Sequence, residues 1–91
     1  MTQIQTAIEQ TKDEARAVVG KAIKDMRIKN AITITMVTAR VKADPAAIYG
    51  IEQGGNATWE IIESILKAVS MREKIQQEIF EKYRCAYSDK P

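Results

Sequence analysis

Lys21, Lys24, Arg27, Lys29, Arg40 and Lys42 fall between residues 20 and 42, a stretch that holds one acid, Asp25. That density of cations suits contact with the phosphates of a polyanion, which is a chemistry of binding and not of bond making. Taken singly, each of these residues is equally at home on a solvated helix face. The charge is nevertheless local: residues 1–19 carry a net −1, 20–42 carry +5, 43–70 carry −3 and 71–91 carry +1, an unevenness hidden by the whole-chain value of +2. Catalytic chemistry has little to work with. There is no histidine and Cys85 is the lone cysteine, which excludes disulfide frameworks, Cys/His zinc sites and any imidazole base or triad. Cys85 has only the helix-end charges Lys82 and Arg84 nearby and reads as an inert thiol. With no glycine-rich phosphate motif either, the sequence predicts no enzyme, no cofactor and no small-molecule substrate.

These residues need elements to position them. A chain of 91 residues makes one domain, burying roughly 60 to 65% of its unfolded surface. Its aromatics are Trp59, Phe80 and three tyrosines, so the core must be built from Ile, Val, Ala, Leu and Met, which favours an all-α fold. No apolar run approaches the roughly 18 residues of a membrane span, and a soluble, cytoplasmic protein is expected.

Ile4, Ala7, Ile8, Ala15, Val18 and Val19 recur at helical spacing, and Ala22, Ile23 and Met26 continue the pattern until it fades near Asn30. Gly20 within it marks either a bend or a close approach, since glycine in a helix costs about 1 kcal/mol against alanine. Thr33 and Thr35 can each cap a second helix; Thr33 is preferred because Met36, Val37 and Val41 then share a face. That helix ends by Lys42. Asp44-Pro45 predicts a third start, with Asp44 accepting from orphan N–H groups and Pro45 at the first helical position, and Ile48 and Ile51 facing inward up to Gln53. Gly54, Gly55 and Asn56 stop it, and their backbone N–H groups also offer a phosphate site.

Thr58 caps a fourth helix, aided by Glu60, with Trp59, Ile62, Ile65, Leu66 and Val69 on its apolar face. Trp59 serves either as a core anchor, the preferred reading, or as a partner-binding surface. A last helix is predicted from Met71 to Tyr83, burying or pairing Ile75, Ile79, Phe80 and Tyr83, and the tail from Ser88 to Pro91 is expected to be loose. Ile4, Ile8 and Phe80 either complete a thin core or make a dimer contact.

Two short helices, Thr33 to Val41 and Pro45 to Gln53, joined by about three residues have the spacing of a helix-turn-helix, in which the second helix presents its N-terminal residues to the major groove. Proteins that never touch nucleic acid also use that spacing. At these residues the chain resembles the phage repressor and Cro family, also called the xenobiotic-response-element family. Val19 to Arg27 (VGKAIKDMR) is similar to its first helix, Ile32-Thr33 to the start of its second, and Val37 and Val41 to its two inward leucines. Asp44, Ile48, Ile51, Glu52 and Gly54 stand where the family has Ser/Thr, Ile, Ile, Glu and Gly. The span from Thr58-Trp59-Glu60 through Lys67-Ala68-Val69 resembles its fourth helix.

The resemblance spans Val19 to Val69. It implies a five-helix, lambda-repressor-like helix-turn-helix fold with its core over 18–70, 1–17 being an extra N-terminal amphipathic helix and 71–91 a C-terminal helix and tail. It implies a homodimeric regulator on double-stranded operator DNA, and a salt bridge between Arg27 and Glu52, each of which composition alone would leave on a solvated surface. The charge pattern and this placement together predict DNA contacts at Lys29, Thr33, Thr35, Arg40, Pro45, Ala46, Ala47, Tyr49, Gly50, Gln53 and Asn56. The chain departs from the pattern at Ile34, where the family has a phosphate-contacting glutamine, at Thr38, where it has a small residue, and at Lys42, where it has a turn glycine. At the base-reading positions stand Pro45, Ala46 and Gly50, none with a side-chain donor or acceptor. An interaction module that keeps the fold without reading DNA, antitoxin-like or a phage accessory protein, is therefore the alternative.

Overall fold

The computed structural model describes residues 2–70 and 80–88, with side chains over 11–70 and 80–88. The fold is all-α: α1 spans Thr2–Lys29, α2 Ile34–Val41, α3 Pro45–Glu52 and α4 Trp59–Ser70, followed by a short 3₁₀ helix, Glu81–Ala86. Among the described residues the extended pairing is a single bridge between Thr58 and Ser88.

The boundary expected between 17 and 18 falls inside α1, which runs through it unbroken. Val19, Ile23 and Met26 are buried on one face, while Val18 is 49% exposed; about 100° of helical rotation separates it from Val19 and turns it to solvent. Gly20 marks a close approach: a Cβ there would lie 2.3 Å from the carbonyl oxygen of Ile51 and 2.8 Å from that of Glu52. The helix closes with Ala31 at φ 55. Ile32 N–H donates to the Arg27 carbonyl at 2.8 Å and Ala31 N–H to that of Ile28 at 3.1 Å, the paired bonds of a Schellman ending. Ile32 is thereby delivered into the core.

Thr33 is the N-cap of α2, its hydroxyl accepting from Met36 N–H at 3.1 Å. Thr35 lies inside the helix, and its carbonyl accepts from the Thr38 hydroxyl. Ile34 and Val37 are buried and Val41 half-buried, but Met36 is 44% exposed. With the helix beginning at Ile34, the inward stripe follows i, i+3, i+7, and Met36 stands off it. Asp44 occupies the N-cap of α3 without a side-chain cap bond, so the expected carboxylate cap is absent. Pro45 at the first position needs none of its own. Ile48 and Ile51 are buried as expected; the helix ends at Glu52, with Gln53 as C-cap, and Gly54 turns the chain at φ 98.

Thr58 Oγ1 accepts from Ile61 N–H at 3.4 Å, and Trp59, Ile62, Ile65, Leu66 and Val69 of α4 are all buried. Trp59, 4% exposed, is a core anchor. The segment 71–79, with the predicted helix start at Met71 and with Ile75 and Ile79, lies outside the described residues, as do 89–91 and the side chains of Ile4 and Ile8. Beyond it the chain forms a 3₁₀ helix through Tyr83 to Ala86 where an α-helix ending at Tyr83 was expected.

Ser88, expected in the loose tail, is held. Its carbonyl accepts from Trp59 N–H at 2.9 Å and its N–H donates to Ala57 O at 3.0 Å; Trp59 N–H is one of the orphan donors at the start of α4, which water or another segment has to satisfy. Ala86 and Tyr87 join the core. Arg16 Nη1 donates to Ala86 O at 2.8 Å, and the Tyr87 hydroxyl donates to Arg16 O at 3.4 Å. Phe80 and Tyr83 are half-buried against the same core, their rings 6.2 Å apart.

Candidate nucleic-acid interface

Lys42, Ala43 and Asp44 are all that separate α2 from α3. So short a turn needs a sharp reversal, and Lys42 provides it in the left-handed conformation, φ 60 and ψ 44, with its N–H donating to Thr38 O at 2.9 Å. A side chain holds this conformation at about 1 to 2 kcal/mol of strain.

Arg27 fixes the pair of helices against α1. Its Nε donates to Glu52 Oε2 at 2.8 Å and its Nη2 to Glu52 Oε1 at 3.2 Å, a two-pronged bridge, while Nη1 donates to the Ile32 carbonyl at 3.2 Å. One guanidinium therefore joins the last turn of α1, the residue before the α2 cap and the last residue of α3. The side chains are 13% and 3% exposed. Glu52's hydrogen bond holds the Arg27 pKa above its ordinary value against the opposing effect of burial, with a smaller contribution from the Tyr49 hydroxyl. Arg27 is in consequence withdrawn from any phosphate surface, leaving Lys21, Lys24, Lys29, Arg40 and Lys42 as the exposed cations of the basic stretch.

Ile48, Ile51 and Glu52 point α3 inward, and every other residue of it is exposed: Pro45, Ala46, Ala47, Tyr49 and Gly50. Gln53 is exposed too, and so are Lys29, Thr33, Thr35 and Arg40 on the preceding elements. Tyr49 is 52% exposed and is the large side chain of that face. A Cβ added at Gly50 would meet nothing within 4 Å, so the helix presents bare backbone there.

Asn56 is exposed, yet its amide is taken up within the chain: Nδ2 donates to Ser88 Oγ at 3.1 Å and Oδ1 accepts from Ala57 N–H at 2.8 Å. The loop N–H groups expected to be open to a phosphate are also committed, Gly54 to Ile51 O at 3.0 Å and Gly55 to Gly50 O at 2.8 Å. Asn56 and the two glycines thus fasten the α3–α4 loop. Arg16, which ties α1 to the C-terminal segment, was missed from sequence; its signal was an arginine one turn before Gly20, on the edge of the apolar face. No helix of the described residues is long and apolar enough to cross a membrane. The chain matches no family model, no curated protein and no solved structure.

Proposed function

We propose that the chain is a cytoplasmic, homodimeric transcriptional regulator of the repressor and Cro type, a lambda-repressor-like domain that occupies operator DNA through α2 and α3. The observation that carries the reading is the pairing of these two eight-residue helices across a three-residue turn, locked to α1 by the Arg27–Glu52 bridge, with the outer face of α3 open to solvent. A second helix held rigidly and exposed along its N-terminal half is what insertion into a major groove requires. Arg40 and Lys42 at the end of α2, and Lys29 at the end of α1, supply exposed positive charge for the backbone contacts that set register.

Base reading rests on little. Pro45, Ala46 and Gly50 offer no side-chain hydrogen bond, so discrimination falls to thymine-methyl contacts by Ala46 or Ala47, to Tyr49 and to duplex shape. That bare face favours the second reading, a module whose α3 docks on protein. A gel-shift selection from random DNA pools at two salt concentrations separates the two: enrichment of a shared sequence supports the regulator, and weak, sequence-blind binding supports the module. Within the regulator reading, Lys29→Ala or Arg40→Ala weakens all sequences about equally, whereas Tyr49→Ala lowers the ratio of specific to scrambled affinity. An unchanged ratio for Tyr49→Ala overturns this account of readout.

A further inference from the structure

A groove of about 390 Å³ lies on the far part of α1, between that helix and the 3₁₀ segment, and nothing in the DNA-binding reading uses it. Its volume falls within the roughly 300 to 1,000 Å³ of small-molecule sites. The body of the groove is mainly apolar, lined by Ala15, Tyr83, Cys85 and Ala86 together with Thr11, and Cys85 is exposed. Lys12 belongs to one wall and Lys82 to the other, with Lys82 Nζ 5.2 Å from the Tyr83 ring centroid.

Among the described residues, the acids beside these lysines have other partners or directions. Asp13 is paired with Arg16, and Glu81 with Arg84 at 3.5 Å. Glu14 stands about 200° around α1 from Lys12. Among the described residues the groove therefore combines an apolar interior with a rim whose lining charges are Lys12 and Lys82. A second copy of the chain is a poorer occupant than a lone anion, because a two-fold contact would bury this same lysine-bearing rim from both copies at once.

We infer that the groove binds a small amphipathic carboxylate of the medium-chain fatty-acid class, its apolar body between α1 and the 3₁₀ helix and its carboxylate between Lys12 and Lys82. The test uses the full chain in an ¹⁵N NMR titration with decanoate below its aggregation concentration, with neutral decanol and cationic decylamine as comparators. Saturable shifts are expected at Ala15, Tyr83, Cys85 and Ala86, together with slower alkylation of Cys85 by the neutral reagent iodoacetamide. Lys12→Gln combined with Lys82→Gln, both at exposed positions, weakens decanoate about tenfold, the scale of a lost charge-assisted hydrogen bond, and leaves decanol unchanged. Decanoate that binds no better than decanol, or shifts that fall elsewhere, overturns the inference. So does sedimentation of the protein with phosphatidylglycerol vesicles that the double variant abolishes, which would assign the lysines to a membrane surface. None of these readouts involves DNA, so the groove and the DNA-binding reading stand or fall separately.

Discussion

Glu52 is a carboxylate with 3% of its side chain exposed, and burial of that kind is tolerable only because Arg27 meets both of its oxygens. Removing one partner strands the other, and Glu52→Gln is expected to lower unfolding free energy by about 3 kcal/mol in urea denaturation. Replacing both residues with methionine should recover most of the loss, because the bridge's role is to set orientation more than to add stability. A double variant as unstable as the single one would show that the ions contribute net stability. Lys42 presents the opposite balance. Its left-handed φ of 60 is strained for any side chain, so Lys42→Gly should stabilise the fold by about 1 kcal/mol. Under the proposed DNA-binding reading, it should also weaken DNA of every sequence alike through the lost charge. Lys42→Ala keeps the strain and loses the charge, so it should weaken DNA without the stability gain. Equal thermal stability for the Gly and Ala variants would remove strain at Lys42 from the account.

Between elements, the tightest constraint is the seat of α3 on α1 at Gly20. In an isolated helix Gly20→Ala would gain about 1 kcal/mol. Here the new methyl would sit 2.3 Å from a backbone oxygen of α3, and backbone cannot rotate away as a side chain can. Overpacking of this kind costs about 1 to 3 kcal/mol, so the variant should be less stable than the parent and, under the proposed function, should lose DNA affinity as α3 shifts. An increase in thermal stability would show that α3 moves freely.

The same position shows how far the sequence was legible. Periodicity flagged Gly20 as a bend or a contact but could not choose, because the deciding atoms belong to Ile51 and Glu52, some thirty residues away. Local signals served well: Thr33 and Thr58 cap their helices, and the α4 face is buried residue for residue. The Arg27–Glu52 bridge was legible only through the family resemblance. Two local signals misled. Ile34, Val37 and Val41 took the inward stripe of α2 and left Met36 outside it, and Asp44 keeps a capping backbone without the capping bond. The Asn56 amide and the glycine N–H groups were read as open to DNA because their partners, Ser88 and the end of α3, could not be placed from sequence.

At the scale of the molecule, the C-terminal segment closes the structure over the start of α4 and the middle of α1. Tyr87 is the pivot of that closure: its ring lies 5.9 Å from Trp59 and its hydroxyl donates to the Arg16 carbonyl, while Arg16 reaches back to Ala86 O. Burial in this seat pushes the Tyr87 pKa from 10.0 up to about 12, against a smaller lowering by Arg16. An acid whose pKa is raised on folding stays neutral in the native state while it ionises in the unfolded chain. Between those two values the unfolded chain binds fewer protons, so stability is unaffected below pH 10 and falls as pH rises from about 10 toward 12. Tyr87→Phe removes that titration while keeping the ring against Trp59. Its urea midpoint should start slightly below the parent's at pH 8, for want of the bond to Arg16, and should fall less steeply above pH 10. The measurement is a set of urea titrations from pH 8 to 11.5 on both proteins, with m-values compared to confirm that each unfolds as one unit. Parallel pH slopes would mean that Tyr87 ionises as freely in the folded chain as in the unfolded one, and that the C-terminal segment is not seated on α1 and α4 in solution.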